Sequence, residues 1–128
     1  RKESSAASDV YKRQDLHGRP HPRLFGTFPR VLGHYVRERG LISLPEAVRR
    51  MTSLSAETFG MKDRGKVQVG YFADLVLFDP NTIIDKASYD DPKQGPDGIE
   101  LVVVNGKLAF QQGQHMNAGS GAMLRYRR

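Results

Sequence analysis

The side chains able to do chemistry are few in this chain and poorly spaced for a metal. There are four histidines and no cysteine. His17, His21, His34 and His115 contain no His-x-His pair. A catalytic zinc needs several nitrogen, sulfur or carboxylate ligands converging at about 2 Å, with one position left open. Without cysteine, neither a thiolate site nor a disulfide framework is available. What remains is a short Gly- and Pro-rich stretch, Asp15–Gly26, carrying His17, Arg19, His21 and Arg23. An arginine there can pair with a carboxylate through two parallel N–H donors. His21 and Arg23 can equally brace their own loop through backbone carbonyls.

The elements that must position these residues follow from the apolar pattern. Phe28, Val31, Leu32, Tyr35 and Val36 share one face of a helix expected over Phe28–Arg39. Thr27 is its expected N-cap, Pro29 lies in its first turn and Gly40 follows its end. Phe28 and Tyr35 are core residues by this spacing. A second helix starts at Ser43, where Ser43-Leu44-Pro45-Glu46 has capping-box spacing. A short third helix is expected over about Ala56–Phe59, capped by Ser55 and stopped by Gly60.

The period then changes. Lys66–Val69 and Ala73–Phe78 are expected strands, the second apolar enough to be covered on both faces. Asp79–Gly98 has the composition of a long surface loop. Ile99–Val104 and Lys107–Gln111 flank Asn105-Gly106, a strong hairpin signal because a type I′ turn needs positive φ at both central residues. Asp74 and Asp79 flank an apolar strand and are expected to make strand-end hydrogen bonds. His34 and His115 are expected at the surface.

Composition narrows the class. The 128 residues, 38% hydrophobic and 27% charged, suit one globular domain. No apolar run reaches the ~20 residues of a membrane helix and no secretory h-region is visible, so a cytoplasmic location and no membrane partner are expected. Net charge is +6. The basic residues are scattered apart from Arg125–Arg128, which fits a solvated surface better than specific nucleic-acid binding. The N-terminal string Ser4–Gln14, SSAASDVYKRQ, matches the translation of a transposon adapter used in sequencing libraries. Residues 1–14 are therefore expected to be an artefactual leader.

Glu46–Asp79 resembles the signature that closes many amidohydrolase-superfamily chains. Its landmarks here are Thr52, Ala56, Gly60, Arg64-Gly65, Gly70 and Ala73–Asp79, followed by Val104-Asn105-Gly106. His21-Pro22-Arg23, followed by Gly26-Thr27-Phe28-Pro29-Arg30-Val31-Leu32, is similar to the D-aminoacylase (N-acyl-D-amino-acid deacylase) branch. Leu54-Ser55 replaces the Asn-Pro common in the superfamily turn.

The resemblance implies an α+β fragment: the last helices of a (β/α)8 barrel, then the C-terminal part of a small β-sandwich. Residues 15–60 would be barrel loop and helices, 61–113 sandwich strands, and 114–128 a tail. The parent enzyme would use Zn2+ to hydrolyse an N-acyl-D-amino acid, its substrate partner. The remainder of the barrel would be this segment's other partner. No catalytic or metal-ligating residue is expected here, and no zinc bound by the fragment alone. His21 and Arg23 would bind substrate at the barrel mouth, where such enzymes place function. Asp15 lacks the Ser and Gly that flank the family's proton-shuttling Asp. The competing reading is a small basic α+β binding module without catalysis. A sandwich missing strands would leave open edges and exposed apolar faces, whereas a self-contained module would close its core.

Overall fold

The computed structural model describes residues 19–116 and 119–125, so Asp15 and His17 lie outside the described residues. Among the described residues, three α-helices and one π-helical stretch precede a four-stranded antiparallel sheet. Helix α1, Arg23–Arg30, runs directly into a π-helical stretch, Val31–Glu38. The helix starts five residues before the expected Phe28. Its first amide, Arg23 N–H, is taken by His21 Nδ1 at 3.1 Å, so a cap is supplied upstream of Thr27. Thr27 consequently lies inside the helix, and its hydroxyl donates back to Arg23 O at 2.6 Å. Pro29 lacks an N–H, and just beyond it the ladder widens to the i→i+5 pattern, ending with Arg39 N–H on His34 O at 2.9 Å. Gly40, at φ +57°, terminates the run.

Helix α2, Leu44–Met51, is N-capped as its sequence suggests, with Ser43 Oγ accepting from Glu46 N–H at 3.4 Å. The other half of the capping box is replaced. The Glu46 carboxylate turns forward to Arg49 Nε at 2.8 Å and Arg50 Nε at 2.7 Å. These two guanidinium hydrogen bonds, Arg49 first, lower the Glu46 pKa from the usual 4.5 to about 2. A depressed carboxyl pKa stabilises the fold above the unfolded value and stops doing so as pH falls through the folded one. The Glu46 contribution should thus be complete above 4.5 and disappear around 2. Carbon-detected NMR titration of the Glu46 carboxyl checks this. A midpoint at the ordinary glutamate value would contradict it.

Helix α3 spans Ser53–Thr58, beginning three residues earlier than expected. Ser55 is not its cap; its hydroxyl donates to Arg50 O at 2.7 Å, linking α3 to α2. The helix ends in a Schellman motif: Met61 N–H reaches Ala56 O at 2.8 Å and Gly60 N–H reaches Glu57 O at 3.1 Å.

The sheet is a meander of β1 (Leu75–Phe78), β2 (Ile99–Val104), β3 (Lys107–Gln111) and β4 (Gln114–His115). Asn105 and Gly106 both have positive φ, at 49° and 76°, as the β2–β3 hairpin requires. Gln112 and Gly113 repeat the device at φ 47° and 82°, which adds β4 where no strand was expected.

Lys66–Val69 forms no strand. Val67 and Val69 are 89% and 99% exposed, because no neighbouring strand offers them a ladder. Among the described residues strand β1 is at the sheet edge and pairs only with β2; Leu75, Val76 and Leu77 are all exposed, so the described residues do not supply the expected cover on both faces. Phe28 and Tyr35 are likewise exposed rather than core.

The core centres on Leu32, Ala47 and Ile83, with Val36, Ile42, Val48 and Phe78 packed around it. Ile83 belongs to the segment expected to be surface loop, yet it is only 2% exposed. Asp79 Oδ1 accepts from Asn81 N–H at 2.8 Å and turns the chain, and the Ile84–Asp97 bridge closes the loop's neck.

Candidate functional site

His21 and Arg23 stand at the N-terminal mouth of α1, and both are exposed. Because the Arg23 backbone N–H points at His21 Nδ1, that nitrogen must carry a lone pair. In the neutral ring the proton is then on Nε2, which donates to Tyr89 Oη at 3.1 Å. The Tyr89 and His21 rings also meet edge-on, with centroids 5.2 Å apart. The Arg23 guanidinium makes no ion pair among the described residues, so its donor fork is open to an anion. His34 and His115 are remote in role. His34 Nδ1 contacts Glu38 Oε2 at 2.7 Å, and His115 lies edge-on to Phe110 at 5.2 Å.

Among the described residues, no group of three or more His, Asp or Glu is arranged to hold a metal. The described residues therefore do not by themselves fit a zinc ion.

The amidohydrolase-like motif residues do converge, but on one another. The Arg64 guanidinium pairs with Asp74 and donates through Nη2 to Asn105 Oδ1 at 2.7 Å. Asp74 Oδ1 accepts from Asn105 N–H at 2.8 Å, and Asn105 Nδ2 donates to Ser120 O at 2.6 Å. Arg64 also stacks over Phe72 at 4.2 Å from the ring centroid. Next to it, Gly65 at φ +82° leaves no room for a side chain: a Cβ would lie 2.6 Å from Ala56 Cβ and 3.0 Å from Thr52 O. Thr52, Ala56, Arg64, Gly65, Asp74 and Asn105 thus form one clamp joining α3, the edge strand and the β2–β3 hairpin. It is a scaffold, with the Arg64, Asp74 and Asn105 side chains bonded to one another and to the backbone.

An open apolar groove of about 390 Å³ lies between the α1–π helix and α2, lined by Phe28, Val31, Tyr35, Leu41, Ile42 and Met51 among others. No helix among the described residues is long and apolar enough to cross a membrane. Tyr89 could not have been assigned to the His21 cluster from sequence, since it lies 68 positions away in an Asp- and Pro-rich stretch.

Comparison with known proteins gives this architecture its class. Residues 17–110 match the amidohydrolase family, and the chain belongs to it. Within that family it is 54% identical over 101 residues to the D-aminoacylase of Alcaligenes xylosoxydans xylosoxydans, covering 76% of this chain and 21% of that enzyme. It is 53% identical over 93 residues to the N-acyl-D-glutamate deacylase of the same organism, covering 73% and 19% of the two chains. A crystal structure of D-aminoacylase superposes with a TM-score of 0.79 at 50% identity, covering 80% of this chain and 22% of that one. The N-acyl-D-glutamate deacylase from Bordetella bronchiseptica, solved with zinc and a phosphonate mimic of the tetrahedral intermediate, superposes with a TM-score of 0.72 at 52% identity, covering 75% and 20%. The chain thus spans about a fifth of the length of these relatives. It is a small α+β unit with an antiparallel sheet that corresponds to one portion of D-aminoacylase structures.

Proposed function

We propose that this chain is the C-terminal segment of a zinc-dependent amidohydrolase that cleaves the amide bond of N-acyl-D-amino acids. Its α1–α3 region belongs to the end of a (β/α)8 barrel, and its sheet to a small β-sandwich completed by other parts of the parent chain. The observation that carries this reading is the high identity to two deacylases that share the N-acyl-D-amino-acid substrate class. The uncovered β1 edge and the open groove beside α1 agree with it, because apolar surface of this kind is buried by a partner in a working protein. The zinc ligands and the proton-shuttling carboxylate then lie in the remainder of the barrel. Zinc would polarise the amide carbonyl and supply a hydroxide nucleophile when bound. The part left to this segment is substrate binding: Arg23 receives the substrate carboxylate, and His21 sets the backbone from which Arg23 projects.

The test is a chimera in which residues 19–125 replace the matching segment of a D-aminoacylase. The chimera should hydrolyse N-acetyl-D-methionine, while the 128-residue chain with added Zn2+ should not. Arg23→Ala in the chimera should raise KM about 10- to 100-fold, the worth of a charge-assisted pair. A folded, zinc-loaded chimera that cleaves no N-acyl-D-amino acid would refute the assignment, as would turnover by the 128-residue chain alone.

A further inference from the structure

The segment after β1 does more than close the core. Residues 80–89 run antiparallel along the whole α1–π helix. At the helix's C-terminal end, Arg37 Nη1 donates to Pro80 O at 3.1 Å and to Ile83 O at 2.6 Å. One turn back, Gly33 lets the strap pass so closely that a Cβ would sit 2.5 Å from Ile83 O and 2.6 Å from Ile84 Cδ1. Next come the Arg30–Asp85 ion pair at 3.3 Å and Gly26, where a Cβ would meet Asp85 Cβ at 3.0 Å and Ala87 Cβ at 3.6 Å. The strap's last contact is Tyr89 on His21, at the mouth of the helix. Tyr89 is 74% exposed, so it adds little to the core. What it contributes is its hydroxyl and its ring edge, both spent on His21.

We propose that Tyr89 is a positioning residue for ligand binding by Arg23, acting through His21. The inference rests on the substrate role proposed above for Arg23. Held on one side by Tyr89 Oη, the His21 imidazole keeps Nδ1 aimed at the Arg23 amide. That contact fixes the first residue of α1, and with it the direction in which the Arg23 side chain leaves the backbone. The ligand class is an organic carboxylate, matched by the open guanidinium fork. Without the strap's end contact, His21 can rotate away, the helix start frays by one residue, and the guanidinium searches a wider volume before meeting a carboxylate.

Two measurements test this. In the 128-residue chain, hydrogen exchange of the Arg23 amide should accelerate about fivefold in His21→Ala, the factor expected for loss of one helix cap. It should accelerate about threefold in Tyr89→Ala, the scale of one modest hydrogen bond. His21→Asn can still accept from the Arg23 amide but cannot reach Tyr89, so in that background Tyr89→Ala should leave Arg23 exchange unchanged; a further acceleration there would show that Tyr89 does not act through His21. In the D-aminoacylase chimera, Tyr89→Ala should raise KM about fivefold and change kcat by less than about twofold, the pattern of lost ligand binding rather than lost chemistry. Unchanged Arg23 exchange in Tyr89→Ala would overturn the proposal, and so would a fall in kcat at constant KM. If the chimera has no activity, the assignment of the enzyme fails while the exchange experiment still decides the positioning role.

Discussion

Ile83→Ala should destabilise the fold by about 2–5 kcal/mol, the range for removing a buried branched side chain whose surroundings cannot collapse. Collapse is blocked here on two sides. The Ile83 backbone is already in contact with Gly33 of the π-helical stretch, where even a methyl group would come within 2.5 Å of its carbonyl. It is also in contact with Gly98, at φ +79°, where a Cβ would lie 2.5 Å from both Ile83 N and Cα. With the backbone pinned, the space vacated by the side chain stays open against Leu32 and Ala47. Ile83→Val should cost only about 0.5–1.5 kcal/mol, since it removes a single methylene. Urea denaturation of the chain at micromolar concentration, followed by far-UV circular dichroism, measures both. An Ile83→Ala cost below that of Ile83→Val would mean that Ile83 does not join the helices to the strap.

The second large effect is expected at Arg64, although this residue touches no candidate ligand. Arg64→Leu should cost about 2–4 kcal/mol, because it leaves a carboxylate and an amide without the donor they were folded around. The side chain is 12% exposed, so water cannot readily replace it. Arg64→Lys should recover only part of the loss. A lysine ammonium is a point charge and cannot serve Asp74 and Asn105 from one rigid plane while stacking on Phe72. Asp74→Asn combined with Arg64→Leu, in a double-mutant cycle, should show coupling of more than about 1 kcal/mol. Additive effects would mean that the clamp is an accident of packing.

The local elements were legible because their causes are local. The Asn105-Gly106 turn follows from the two residues best able to take positive φ in sequence. The α2 N-cap follows from Ser43 placed three residues before an amide that needs an acceptor. The family pattern was also legible, since Arg64-Gly65, Ala73–Asp79 and Val104–Gly106 stand in fixed order. What that order could not reveal is why those residues are needed. Arg64 and Asn105 are 41 positions apart, and only folding shows that both answer Asp74.

Other expectations failed where a neighbour decides the outcome. Lys66–Val69 has strand composition but no strand beside it, and β-propensity without a partner ladder forms nothing. Thr27 as a cap predicts a helix starting at Phe28, yet a histidine imidazole outside the usual capping set takes the Arg23 amide and the helix starts there instead.

The amino-acid sequence by itself determined the helix-then-sheet order, the hairpin turn at Asn105-Gly106 and the family. These depend on contacts within a few positions, which periodicity and residue type encode directly. Only the tertiary structure decided that a polar, loop-like segment buries Ile83, runs back along the helix and ends with Tyr89 on His21. Such contacts join positions dozens of residues apart through shape and hydrogen bonding, and neither leaves a periodic trace in the chain.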